Sequence, residues 1–135
     1  MTLHEFRKLP HRFRWGGVSG DDCTTFCARW IDYAIGTDPA ASFRGAYSDA
    51  AGAERILTQA GGLVAFADRH LLPCGLVRTD DPQTGDVGVI VAPSALDGEF
   101  KHIAAIRFGP LWMTLSPAGV CARRADFIAA WRMPG

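Results

Sequence analysis

Between positions 23 and 35, apolar residues recur at three- and four-residue intervals: Cys23, Phe26, Cys27, Trp30, Ile31, Ala34 and Ile35. That period predicts an amphipathic helix whose stripe packs centrally. Asp21 or Asp22 caps it by accepting backbone N–H bonds, and Gly36 ends it. Cys23 then falls in the first turn. The segment Thr37 to Tyr47 carries the turn signals Asp38-Pro39 and Arg44-Gly45 and reads as an ordered loop. A second helix is predicted over Ala50 to Ala60, capped by Ser48 or Asp49, with Ile56, Leu57 and Ala60 inward and Gly61-Gly62 stopping it. Leu63 to Leu72 is predicted as a short third helix ended by Pro73.

Beyond Pro73 the pattern changes from helical spacing to short β-branched runs. Gly85 to Ala92, Lys101 to Phe108, Leu111 to Ser116 and Gly119 to Arg123 are separated by Gly or Pro turns, which predicts a small antiparallel sheet. Ala125 to Trp131 reads as a short C-terminal helix. Helices followed by strands, rather than alternating with them, indicate an α+β fold: N-terminal helices packed on a small antiparallel sheet. At 135 residues the chain reads as a single domain spanning 1–135, with residues 1–17 a basic N-terminal segment.

Charge narrows the partners. Lys and Arg total 14 and so do Asp and Glu, so no overall positive field draws the chain to phosphate backbones; no nucleic-acid partner is expected. The cluster Arg7, Lys8, His11, Arg12 and Arg14 reads as a solvated face, with a local patch as the alternative. No apolar run approaches the ~20 residues needed to span a bilayer, and residues 1–17 lack the apolar core of a signal peptide, so no membrane insertion and synthesis in the cytoplasm are expected. The 4 cysteines do not make a disulfide framework, and reduced thiols are expected.

The first turn of a helix favours a thiolate through its unpaired N–H groups and dipole, which singles out Cys23. A thiol nucleophile also needs a base from elsewhere in the chain. His4 and His11 lie in the polar N-terminal segment, and His70 near a helix end. His102 shares one strand face with Ala104, Ile106 and Phe108, an apolar face suited to covering by helices, so it is either a satisfied core residue or a partner. Small Ala104 beside it leaves room for a helix end. Cys23 and Cys27 with His102 or Cys121 fit no strong zinc motif, and neither metal nor cofactor is expected. Cys27, Cys74 and Cys121 read as apolar fillers. Trp15, Trp30, Trp112 and Trp131 read as core residues rather than sugar-stacking platforms, with a cleft border as the alternative for Trp15 in its Gly-rich loop before Cys23, and Asp86 reads as a turn former.

Three motifs in order, Trp15 to Phe26 (WGGVSGDDCTTF), Gly85 to Ile90 (GDVGVI) and His102 to Gly109 (HIAAIRFG), resemble the NlpC-type papain-like cysteine peptidases. In that family an Asp-Cys pair opens the central helix, a Gly-Asp turn leads into the sheet, and a His begins a following strand. Asp38 to Tyr47 (DPAASFRGAY), the GDVGV stretch and the closing Ala130-Trp131-Arg132 are further similar to short NlpC-like proteins of phage and prophage tail gene clusters. The resemblance implies a papain-like fold with Cys23 as nucleophile, His102 as general base and Asp22 as a cap. It implies cleavage of peptidoglycan stem peptides by a tail-associated, virion-borne protein, with phage tail proteins as partners. The alternative is a degraded module retained as a tail structural adaptor. The family also places a polar residue after the base to fix its ring. Thr114 is the nearest match here and Ser116 the next, with Asp97 and Glu99 as further candidates if their loop folds back.

Overall fold

A computed structural model describes residues 1–94 and 97–135. The helices are α1 (Leu3–Arg7), α2 (Cys23–Ile35), α3 (Ala50–Ala60) and α4 (Leu63–Leu71), the last followed by a 3-10 turn at Leu72–Cys74. The strands are β1 (Val77–Arg78), β2 (Val87–Pro93), β3 (Phe100–Phe108), β4 (Leu111–Ser116), β5 (Gly119–Arg123) and β6 (Asp126–Arg132). All lie in one sheet of order β1-β6-β2-β3-β4-β5, and every pairing is antiparallel. The α+β class is as expected.

Local chemistry sets the helix ends. Asp22 caps α2 by accepting from Thr25 N–H, Thr25 Oγ1 accepts in return from Asp22 N–H, and Gly36 closes the helix in the left-handed region at φ 77°. Asp49 caps α3 through Gly52 N–H. The N-terminal segment contains a helix that its basic residues conceal: Thr2 and Glu5 form a capping box, and Leu3 and Phe6 are buried. Lys8, Arg12 and Arg14 remain exposed.

The helices cover one face of the sheet. Phe6, Phe26, Trp30 and Ile31 pack there against Val87, Val89, Ala104, Ile106, Met113, Leu115 and Trp131. Two indole N–H groups lock the layers, Trp30 to Gly85 O at 2.8 Å and Trp131 to Asp68 Oδ1 at 2.8 Å. Asp86 accepts from Gln83 N–H at 2.8 Å and Met133 N–H at 3.0 Å, so this turn former also ties down the C-terminus.

The expected C-terminal helix is instead β6, which pairs with β2. Its alanines suit a helix intrinsically, but β2 has an open edge there. The strand places Ala129 and Trp131 in the helix-side core and Ala130 on the opposite face, so tertiary pairing overrides local propensity. A register shift at Val89/Ile90 breaks the alternation and hides the strand pattern.

The sheet is also curled. From Arg123 to Asp126 the chain spans at most about 11 Å when extended, while β5 and β6 stand four strand spacings apart, about 19 Å in a flat sheet. Curling brings the two ends together around a second cluster of Ile90, Ala92, Ala105, Trp112 and Ala130. Small residues make this curl possible. At Gly88 any Cβ would lie 2.7 Å from the Trp112 ring.

Candidate functional site

Cys23 is the first residue of α2; it is half-buried and lines a cleft of about 270 Å³. His102 lines the same cleft from β3. Val91 is its partner across the β2–β3 pair, and with Ala104 and Ile106 it shares the helix-side face. The backbone N–H of Ala104 is directed at the Cys23 sulfur. His102 lies two residues back on that face, about 7 Å along the strand. The two residues singled out in the sequence are thus brought to one cleft.

The cleft opens where two strands separate. β3 pairs with β4 only from Ile106 to Phe108, whereas β4 runs on to Ser116 against β5. Arg107 exchanges both backbone bonds with the β2 side, through Asp86 O and Gly85 N–H, so even-numbered β3 residues turn theirs toward β4. Ala104 N–H therefore points into the split, and the Cys23 sulfur meets it where a paired strand would otherwise be. The start of α2 is inserted at the point where the sheet parts.

A tight loop holds that helix end. Gly16 N–H donates to Asp22 Oδ2 at 3.2 Å, and a Cβ at Gly16 would fall 2.1 Å from the Tyr47 carbonyl oxygen, so only glycine fits. The Tyr47 hydroxyl also donates to Asp22 Oδ2. Asp21 is paired with Arg44 at 2.9 Å and Arg29 at 3.2 Å. Arg44 further binds Asp38 at 2.7 Å and Gly17 O at 2.8 Å, fastening the loop before α3 to the loop before Cys23. Tyr47, within the stretch that carries the closer resemblance, was not singled out as a site residue. Nothing in its immediate neighbours signalled a partner distant in the chain.

The electrostatics differ from the sequence expectation for an activated thiol. Burial and then the negative charge of Asp22 push Cys23 up to about 11, while Thr24 and Ala104 N–H work in the other direction. The helix end does not overcome these two effects, and the resting thiol is protonated at neutral pH. Tyr47 is also raised, by burial and by Asp22, so its phenol stays a donor. Among the described residues Cys23 N–H has no hydrogen-bond partner, which leaves a donor beside the sulfur for a developing oxyanion.

The orienting positions are placed as follows. Thr114 reaches the cleft, but its Oγ1 lies 3.4 Å from Cys121 Sγ, while its neighbours Met113 and Leu115 turn into the helix-side core. Ser116 Oγ donates to Gly119 O at 3.3 Å. Asp97 pairs with Lys101 at 2.8 Å and accepts from Glu99 N–H at 3.0 Å. His102 is exposed, and among the described residues its ring has no hydrogen-bond partner. The remaining cleft wall is mostly apolar, with Phe13 and Trp15 on one side and Ile56 and Leu57 of α3 on another. Trp30, Trp112 and Trp131 are core residues as expected, whereas Trp15 is only half-buried and borders the cleft, the alternative reading of its loop. No described helix is long and apolar enough to cross a membrane.

A family model described as a domain of unknown function (DUF6950) matches residues 2–133, nearly the whole chain. The chain belongs to that family. No curated protein matches it, and no solved structure does.

Proposed function

We propose that this protein is an NlpC-like, papain-type cysteine amide hydrolase in which Cys23 attacks and His102 takes its proton. The observation that carries this reading is the convergence of Cys23 and His102 on one cleft, with Ala104 N–H on the sulfur and an unpartnered Cys23 N–H beside it. Because the resting thiol is protonated, His102 acts as a general base during attack rather than as half of a standing ion pair. A substrate filling the cleft orients the free imidazole, the sulfur adds to the amide carbonyl, and the proton passes through His102 to the departing amine. Water then releases the acyl group.

The substrate class proposed is the peptidoglycan stem peptide, and the setting a phage or prophage tail; both rest on motif resemblance. The test is release of soluble fragments from purified peptidoglycan, resolved by chromatography. Wild type should release them, and Cys23→Ala and His102→Ala should lose release by at least about a hundredfold. Equal release by wild type and Cys23→Ala would overturn the assignment.

A second reading is favoured by the unoriented His102 ring and the raised thiol. In it the chain keeps the fold as an adaptor of the tail and performs no hydrolysis. Under that reading wild type and both variants are equally inert on peptidoglycan.

A further inference from the structure

The curl of the sheet leaves a second, broader concavity of about 890 Å³ between β2 and β3 and the β5–β6 connection. Among the described residues it is lined by Arg107, Arg123, Arg124, Phe100, Phe127 and a single carboxylate, Asp126. The whole chain carries no net charge, so three guanidinium groups against one carboxylate make a local excess. Among the described residues none of the three arginines forms an ion pair.

Two of these arginines are held in place without being neutralised. The Arg107 guanidinium carbon lies 5.0 Å from the centroid of the Trp112 ring, which is fully buried in the curl. The cation–π contact positions that guanidinium over the ring and leaves its charge uncompensated. Arg123 sits opposite Trp112 on β5 and extends its Nη2 toward Cys121 Sγ at 3.8 Å. Arg124 is exposed, as is Phe100 at 73 %. Arg123 and Pro93 line both this concavity and the cleft, so the two adjoin.

We propose that this concavity docks an acidic, aromatic-containing segment of a partner protein. Charge complementarity selects carboxylates, and exposed Phe100 and Phe127 beside the arginines select apolar side chains interspersed with them. A polynucleotide would need the wider positive field that a neutral chain lacks. This inference does not depend on the hydrolase reading, because none of its argument uses Cys23 or His102.

The test is fluorescence anisotropy with a fluorescein-labelled peptide of alternating Glu and Phe, a matched peptide of Lys and Phe, and a labelled single-stranded oligothymidylate. The acidic peptide should bind, weakening as salt rises, and the basic peptide should not. Arg107→Gln with Arg124→Glu should weaken the acidic peptide by about tenfold or more, the scale of losing charge-assisted contacts. Arg124→Glu alone, at an exposed position, should weaken it several-fold with an unchanged unfolding midpoint, which separates docking from folding. Absence of binding, equal binding of the basic peptide, insensitivity to Arg124→Glu, or tighter binding of the oligonucleotide would each overturn the proposal.

Discussion

The phenol of Tyr47 donates to the carboxylate of Asp22, one residue before the thiol whose ionisation that carboxylate opposes. Asp22 thereby does two things: it caps α2, and, second to burial, it pushes the Cys23 thiol further up. Replacing Asp22 by Asn separates the two, since Asn is also a good cap but carries no charge. We expect Asp22→Asn to lower the thiol from about 11 toward its ordinary value and to raise the alkylation rate of Cys23 at fixed pH several-fold. Tandem mass spectrometry after iodoacetamide treatment, using fragment ions that break the chain between Cys23 and Cys27, reads Cys23 separately from Cys27, Cys74 and Cys121. An unchanged or slower rate would show that Asp22 does not set the thiol.

The raised thiols also make stability depend on alkaline pH. Folded-state values of Cys23 and Cys27 lie above the ordinary 9.0, burial being the first cause in both. Unfolded chains therefore release these protons first, and the folded state loses stability as pH rises above 9.0, with the Cys23 contribution levelling off beyond about 11. Below 9.0 this effect is absent. Urea unfolding across that window should show the decline, and Cys23→Ala should make it shallower.

Arg44 holds two loops together by binding Asp21, Asp38 and Gly17 O. Its removal leaves Asp21, only 5 % exposed, with Arg29 alone. We expect Arg44→Ala to cost about 3 kcal/mol, and Arg44→Lys to recover little, because an ammonium cannot reproduce the fork. Burial acts to raise Asp38, but the bonds from Arg44 and Ala40 N–H outweigh it, so its carboxyl lies below the ordinary value. The stability this supplies is present above the ordinary carboxylate value and is lost as pH falls through the lower folded one. Acid titration of unfolding in wild type and Arg44→Ala checks this.

The curl depends on Gly88 passing under Trp112. A methyl there would meet the ring at 2.7 Å and the Ala129 carbonyl oxygen at 3.0 Å. Gly88→Ala should destabilise by about 1–3 kcal/mol through overpacking. Gly98→Ala is a poor control because of its positive φ, so exposed Ala122→Ser on β5 serves instead, with no expected change in the unfolding midpoint.

Much of this architecture was legible in the chain because local signals agreed with it. The α2 stripe, its Asp cap and Gly36, the stop at Gly61-Gly62 and the β-branched runs each have a short-range cause. His102 and Ala104 fell on the helix-side face because strand alternation alone decides that. What escaped depends on contacts distant in sequence. Residues 126–132 became a strand because β2 lacked a neighbour, and Tyr47 reached Asp22 through a loop path that no local pattern encodes. Thr114 was singled out by motif position, yet its hydroxyl faces Cys121, its direct partner across the β4–β5 pair. The helix-start argument for a thiolate was sound as a local effect and was outweighed by burial and Asp22.

The central claim is a covalent one, that Cys23 takes the acyl group and His102 enables the transfer. It is tested most directly by quenching the protein in acid while it processes stem-peptide fragments of peptidoglycan and locating any adduct by mass spectrometry. The account predicts an acyl mass on the Cys23 peptide in wild type, none in Cys23→Ala, and a severe loss in His102→Ala. Fragment cleavage with no adduct at Cys23, or undiminished in Cys23→Ala, would contradict it.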